Sequence, residues 1–153
     1  MKRKTMENCV LCKTDGAEVI YRSAKWRVLI VDDDSLPGFC RVVLNDHVAE
    51  MTDLPTIERD AFMTVVWLVE QAVRDAMQPD KINLASLGNM VPHLHWHIIP
   101  RYKDDATFPD AIWATPHRTI ATDTLASRKQ RVPALRRLLK ERLAAYYRES
   151  LPL

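Results

Sequence analysis

The chain has 153 residues, 47% of them apolar and 27% charged, which suits one globular domain over residues 1–153 with a proper core. A formal charge of +2 is too small to argue for nucleic acid as a partner. Charges interrupt every apolar stretch well short of the roughly 18 residues that a membrane span needs, and Met1, Lys2, Arg3 and Lys4 lead into polar sequence instead of an apolar signal core, so a cytoplasmic protein without membrane contact is expected.

Near the start, Cys9 and Cys12 stand at a C-x-x-C spacing, and the odd total of three cysteines suits metal or redox chemistry better than a secreted disulfide framework. Residues 19–21 and 26–31 read as two short strands turning near Ser23. Residues 41–44 read as a third strand after the Pro37-Gly38 break, with Cys40 beside it as a small buried hydrophobe. From 52 to 77 the apolar positions recur at three- and four-residue spacing, which predicts one long amphipathic helix capped by Thr52 or Asp53 and stopped by Pro79. Residues 82–87 and 93–102 read as two further strands joined through a Gly88-Asn89 turn. A basic stretch from Arg128 to Arg148 reads as a C-terminal amphipathic helix starting near Pro133, part of an extension over 124–153, with a solvated face as its plain interpretation and contact with polyphosphate or RNA as the alternative. The expected fold is α+β, an antiparallel sheet of about five strands with one long helix after the third strand.

The most informative segment is the run His93, Leu94, His95, Trp96, His97. Alternate side chains of a strand share a face, so the three histidines line one face and the apolar residues turn to the core. Three imidazoles on one surface can bind a metal or present a nucleophile. A strand spaces i and i+4 side chains by about 13 Å, so at most two of them can share one ion. Neutral imidazole is a good nucleophile toward phosphorus, and a neighbouring ring can neutralise developing oxygen charge. His95, with a partner on each side, is the position that suits the attacking nitrogen.

This run resembles the signature of the histidine triad (HIT) family of nucleotide hydrolases and transferases. The likeness extends upstream through Asn83 to Pro92, with its Gly88-Asn89 pair, and to Ile30, Val31, Asp32, the Pro37-Gly38 turn and residues 42–47. The resemblance implies the family's fold and a homodimer pairing through residues 82–87 or the long helix. It implies that His95 attacks an α-phosphorus to give a nucleotidyl-histidine and that His97 contacts phosphate and helps to protonate the leaving group. It further implies that Asn83 and Asn89 hydrogen-bond phosphate or leaving-group oxygens, and that Asp32, within a run of three aspartates, accepts from ribose.

Half a zinc site is present in Cys9 and Cys12. Some members of the family complete such a pair with the histidine after the third strand and the first triad histidine, which here implies a structural zinc held by Cys9, Cys12, His47 and His93. The other reading, thiols that are reduced and partly buried, stays open, and a redox role fits less well because no clear helix follows Cys9. Trp113 reads as a core residue, with cover over a base or leaving group as the alternative, and His117 as a surface residue without a partner. The implied function is cleavage of a nucleoside 5′-phosphate, with a purine base, from an amine or a second nucleotide's polyphosphate. A purine mononucleotide sensor without turnover and a zinc-stabilised interaction module are the competing readings.

Overall fold

The computed structural model describes residues 5–149. Five antiparallel strands form one sheet in the order β1-β2-β3-β5-β4, with β1 Glu18–Arg22, β2 Trp26–Ile30, β3 Cys40–Leu44, β4 Lys81–Ala85 and β5 His95–Arg101. The helices are α1 Val10–Lys13, α2 Thr56–Met77, α3 Thr122–Lys129 and α4 Val132–Glu149. The expected α+β class and strand count are therefore observed.

One face of the sheet is the core. Val28, Ile30, Cys40, Val42, Leu44 and Ile98 alternate toward it and meet Phe62, Val65, Val66, Val69 and Val73 of α2 and Leu135, Leu139 and Leu143 of α4. Each of these large apolar side chains contributes roughly 1.5–3 kcal/mol by leaving water. Cys40 is fully buried, and burial pushes its thiol pKa well up, in line with a purely apolar role. The opposite face carries only a small cluster, Cys9, Leu11, Leu29 and Val43, under the N-terminal segment, and it is this thinly covered face that holds the histidines.

Several boundaries differ from expectation for local reasons. The long helix begins at Thr56, after a 3-10 turn Met51–Asp53, and neither Thr52 nor Asp53 caps it. Proline disfavours helical geometry in the residue before it, and Leu54 is extended (φ −84°, ψ 145°) ahead of Pro55. The helix does end before Pro79, with Gln78 left-handed at φ 51°. The strands β4 and β5 are shorter than expected and are joined by residues 86–94, a loop longer than a Gly-Asn turn. The C-terminal region holds two helices, with Pro133 in the first turn of α4, and residues 150–153 lie outside the described residues.

The basic residues of α4 are in part committed to the fold: Arg136 pairs with Glu18 and Arg142 with Asp75. At the Pro37-Gly38 turn, Gly38 has φ +85° and a side chain there would sit 2.7 Å from Met77. Only glycine meets both demands. Among the described residues no helix is long and apolar enough to cross a membrane.

Candidate active site

The N-terminal segment is tied to the thinly covered face by Arg27, a fully buried residue of β2. Its guanidinium donates to the carbonyls of Leu11 at 2.7 Å and Asp15 at 3.1 Å and to Asn45 Oδ1 at 3.2 Å. A buried charge demands such acceptors, and meeting them brings α1 down onto the sheet. A one-turn helix thus does follow Cys9, contrary to the sequence reading, although four residues are too few for a large dipole effect.

That placement assembles four donors. Cys9 Sγ lies 3.4 Å and Cys12 Sγ 3.5 Å from His93 Nδ1, Cys12 Sγ lies 3.5 Å from His47 Nδ1, and all four ligand atoms fall within 4.8 Å of one another. His93 Nε2 is 2.7 Å from the Leu44 carbonyl. A carbonyl only accepts, so Nε2 carries the proton and Nδ1 turns a lone pair toward the sulfurs.

His93 therefore parts company with the other two triad histidines. On β5, His95 Nδ1 donates to the His93 carbonyl at 2.6 Å, which leaves Nε2 unprotonated. The His97 ring stands edge-on to it, centroids 4.9 Å apart. Arg41, paired with His97 across β3 and β5, donates from Nε to His97 Nδ1 at 3.4 Å. With Nδ1 accepting, His97 holds its proton on Nε2. Burial, then the His95 ring, then Arg41 lower the His97 pKa to about 4. Burial lowers that of His95 too, opposed by its bond to the His93 carbonyl and reinforced by Arg41. Two neutral rings result, one offering a lone pair and one an N–H.

Both rings line a cavity of about 460 Å³ with Arg41, Asn89, Met90 and Trp113. Asn89 is thus brought to the histidines as expected. Asn83 lies on the same sheet face, but its Oδ1 accepts from Arg101 Nη1 at 2.8 Å and its strand partner is Ile99, one pleat from His97. Asp32 is not brought to this cavity. It sits in the loop after β2, in a separate cleft with Lys129 at the end of α3 and Arg136 of α4. Trp113 is 56% exposed, with its ring 5.4 Å from that of His97, so core packing is corrected to cover over the site. His117 has a partner after all, Asp110 at 2.6 Å.

Sequence reasoning missed Arg27, Arg41 and Arg101. Each is a lone arginine in an apolar strand, and strand alternation was the available signal: Arg41 and Arg101 fall in phase with the histidines. Arg101 is fixed by Asp105 at 2.8 and 3.0 Å and by the Asp110 carbonyl at 2.8 Å, and so holds the loop that carries Trp113.

The HIT domain family model matches residues 13–104. Over 92 residues the chain is 33% identical to a bis(5′-adenosyl)-triphosphatase of Saccharomyces cerevisiae, an overlap covering 56% of this chain and 45% of that protein. Over 104 residues it is 29% identical to the asymmetrical bis(5′-nucleosyl)-tetraphosphatase of Schizosaccharomyces pombe, covering 65% and 57% respectively. The chain spans about half the length of these curated relatives. A solved histidine triad protein from Bradyrhizobium japonicum matches with a TM-score of 0.70 at 27% identity, over 90% of this chain and 99% of that one. A zinc-bound histidine triad family protein from Mycobacterium smegmatis shares the fold, with a TM-score of 0.58 at 22% identity over 90% of this chain and 97% of its own. The matched segment carries all five strands, α2 and the three-histidine run, and the chain belongs to the HIT domain family.

Proposed function

We propose that this chain is a hydrolase that releases a nucleoside 5′-monophosphate, AMP in the first instance, from a phosphorus-linked leaving group through a nucleotidyl intermediate on His95. The observation that carries the reading is the 2.6 Å bond from His95 Nδ1 to the His93 carbonyl. It fixes the tautomer and aims an unprotonated Nε2 into the cavity. Nε2 forms a bond to the α-phosphorus as the bond from phosphorus to the leaving group breaks, and the electron pair departs with the leaving oxygen. Water then cleaves the phosphorus–nitrogen bond, yielding the monophosphate, restoring the Nε2 lone pair and releasing a proton. The His97 Nε2–H and the Asn89 amide supply hydrogen bonds to phosphate oxygens as charge builds on them. Named relatives that act on bis(5′-adenosyl) triphosphates and bis(5′-nucleosyl) tetraphosphates support the substrate class.

The same reading includes a structural zinc on Cys9, Cys12, His47 and His93. Bonds of about 2.0–2.3 Å in a tetrahedron put ligand atoms about 3.3–3.8 Å apart; the Cys9–His93, Cys12–His47 and Cys12–His93 separations of 3.4–3.5 Å fall in that range, and all four donors lie within 4.8 Å of one another. When bound, the metal would fasten the N-terminal segment to the sheet and has no part in bond breaking. It also includes a homodimer, supported by Leu84 of the edge strand β4, 40% exposed, and Trp67 of α2, 55% exposed. Three free cysteines fit a reducing cytoplasm.

Replacing His95 with Asn should abolish AMP release from diadenosine triphosphate, by about 10⁴-fold or more, while leaving the thermal midpoint and AMP binding near those of the parent. Mass spectrometry of acid-quenched turnover should find an adenylyl group on His95. Full activity in the variant would overturn the assignment, and stoichiometric binding without release by the parent would make the chain a sensor.

A further inference from the structure

Arg41 stands apart from the other buried arginines. Arg27 and Arg101 each spend their guanidinium on several protein oxygens, and Arg128 pairs with Asp104. Arg41 is half-buried, and its one hydrogen bond goes to a ring nitrogen, His97 Nδ1. Its guanidinium lies 5.3 Å from the Phe39 ring centroid, a favourable contact that supplies no counter-charge. Among the described residues no carboxylate pairs with it, and its two terminal nitrogens have no protein acceptor. A cation that is partly removed from water and left without an anion is costly. The cavity it lines is where the compensating anion would bind.

Its position along the sheet says which part of a substrate that anion belongs to. His95 and His97 follow one another along β5, with His93 in the loop just before it, and Arg41 is level with His97, whereas the residue level with His95 is Val43. With His95 Nε2 meeting the α-phosphorus, the guanidinium lies one pleat farther along the sheet, beside the His97 ring, and that side is assigned below to the departing group. Of the two leaving groups open to this site, a polyphosphate departs as an anion whose charge grows as the bond breaks, and two parallel N–H donors of a guanidinium match its oxygens. An amine departs without negative charge and needs a proton. Arg41 has none to give, since guanidinium stays protonated.

We propose that Arg41 is a catalytic residue that binds the leaving phosphate and selects nucleoside polyphosphates over nucleoside phosphoramidates. The proposal rests on His95 as the nucleophile, and it assigns the substrate class of that site: a nucleoside 5′-phosphate joined to a nucleoside diphosphate or a longer phosphate chain. In the reaction, His95 Nε2 takes the nucleotidyl group and the P–O bond to the leaving phosphate breaks. The electron pair stays on the departing oxygen, beside the terminal nitrogens of Arg41. No proton transfer to the leaving group is required.

The test compares two substrates in the full chain: diadenosine triphosphate, and an adenosine 5′-phosphoramidate with a fluorogenic amine. In Arg41→Gln, kcat/KM for the polyphosphate should fall about 10²–10³-fold, at least about tenfold more than that for the phosphoramidate, whose smaller loss reports the Arg41–His97 bond common to both reactions. Arg41→Lys, which keeps the charge and loses the fork, should recover part of the preference. The ratio of the two kcat/KM values does not depend on the fraction of folded protein, so a poorly folding variant still gives an answer. Equal losses on both substrates, or no loss on either, would overturn the proposal. If the parent chain releases no AMP from either substrate and no adduct forms on His95, the nucleophile assignment itself fails. An adduct on His95 with an unchanged ratio in Arg41→Gln removes only the role of Arg41.

Discussion

At neutral pH the His97 ring is uncharged, because burial, the His95 ring and the Arg41 guanidinium hold its pKa at about 4 against an ordinary value of 6.5. A neutral ring of this kind is a poor source of a proton, so in the proposed reaction His97 would act as a hydrogen-bond donor from Nε2, which modifies the part that the family resemblance implies for it. The same shift affects stability. Between pH 6.5 and 4 the unfolded chain binds a proton at this position and the folded chain does not, so stability is full above 6.5 and declines as the pH falls toward 4. Urea unfolding at pH 7 and 4.5 should show that decline, and His97→Asn should shrink it by as much as one proton's worth of slope. An unchanged slope in the variant would mean that the ring titrates normally. At this scale His95 and His97 were legible because strand alternation depends on nothing but the strand. Arg41 and Asp32 were not, since burial, partners and the path of a loop after a strand end are tertiary facts. In the same way, no local pattern announces that the Asn83 side chain is engaged by Arg101.

Elements tell a similar story with different causes. The long helix was visible as apolar periodicity, and its true start was set by Pro55 acting on Leu54. The loop after β5 had no periodicity to read, yet it is well fixed. The Asp105 carboxylate accepts from Arg101 and from the backbone N–H groups of Tyr102, Thr107 and Phe108, at 2.8–3.2 Å. Both members of this ion pair are almost wholly buried. Removing one partner of such a pair strands the other charge, at a cost of about 3–5 kcal/mol. Asp105→Asn should lower the unfolding free energy by that order and expose residues 102–118 to limited proteolysis, with Trp113 losing its place beside His97. A variant with parental stability and protease resistance would show that the loop is held by other means.

Across the molecule, the sheet divides the labour: one face is core, and the other is a workplace thinly covered by an N-terminal segment that Arg27 draws in and by the loop that carries Trp113. A C-x-x-C spacing pointed to half of the donor set, and only the folded chain brings residues 84 positions apart within 3.4 Å. Removal of zinc with a chelator should lower the thermal midpoint, since ligands assembled only in the fold couple metal binding to folding. Metal analysis of the purified chain should give about one zinc per chain, and Cys12→Ser should lose it. A chain purified without metal and indifferent to chelator would leave the thiols as simple buried groups.

His93 has two ends, a ring among the cysteines and a carbonyl that holds His95. The proposed metal site and the proposed nucleophile are therefore joined through a single residue, so a metal held at one end would be coupled to nucleotide bound at the other. Such coupling is reciprocal: by whatever factor metal tightens nucleotide binding, bound nucleotide must tighten the hold on metal by the same factor.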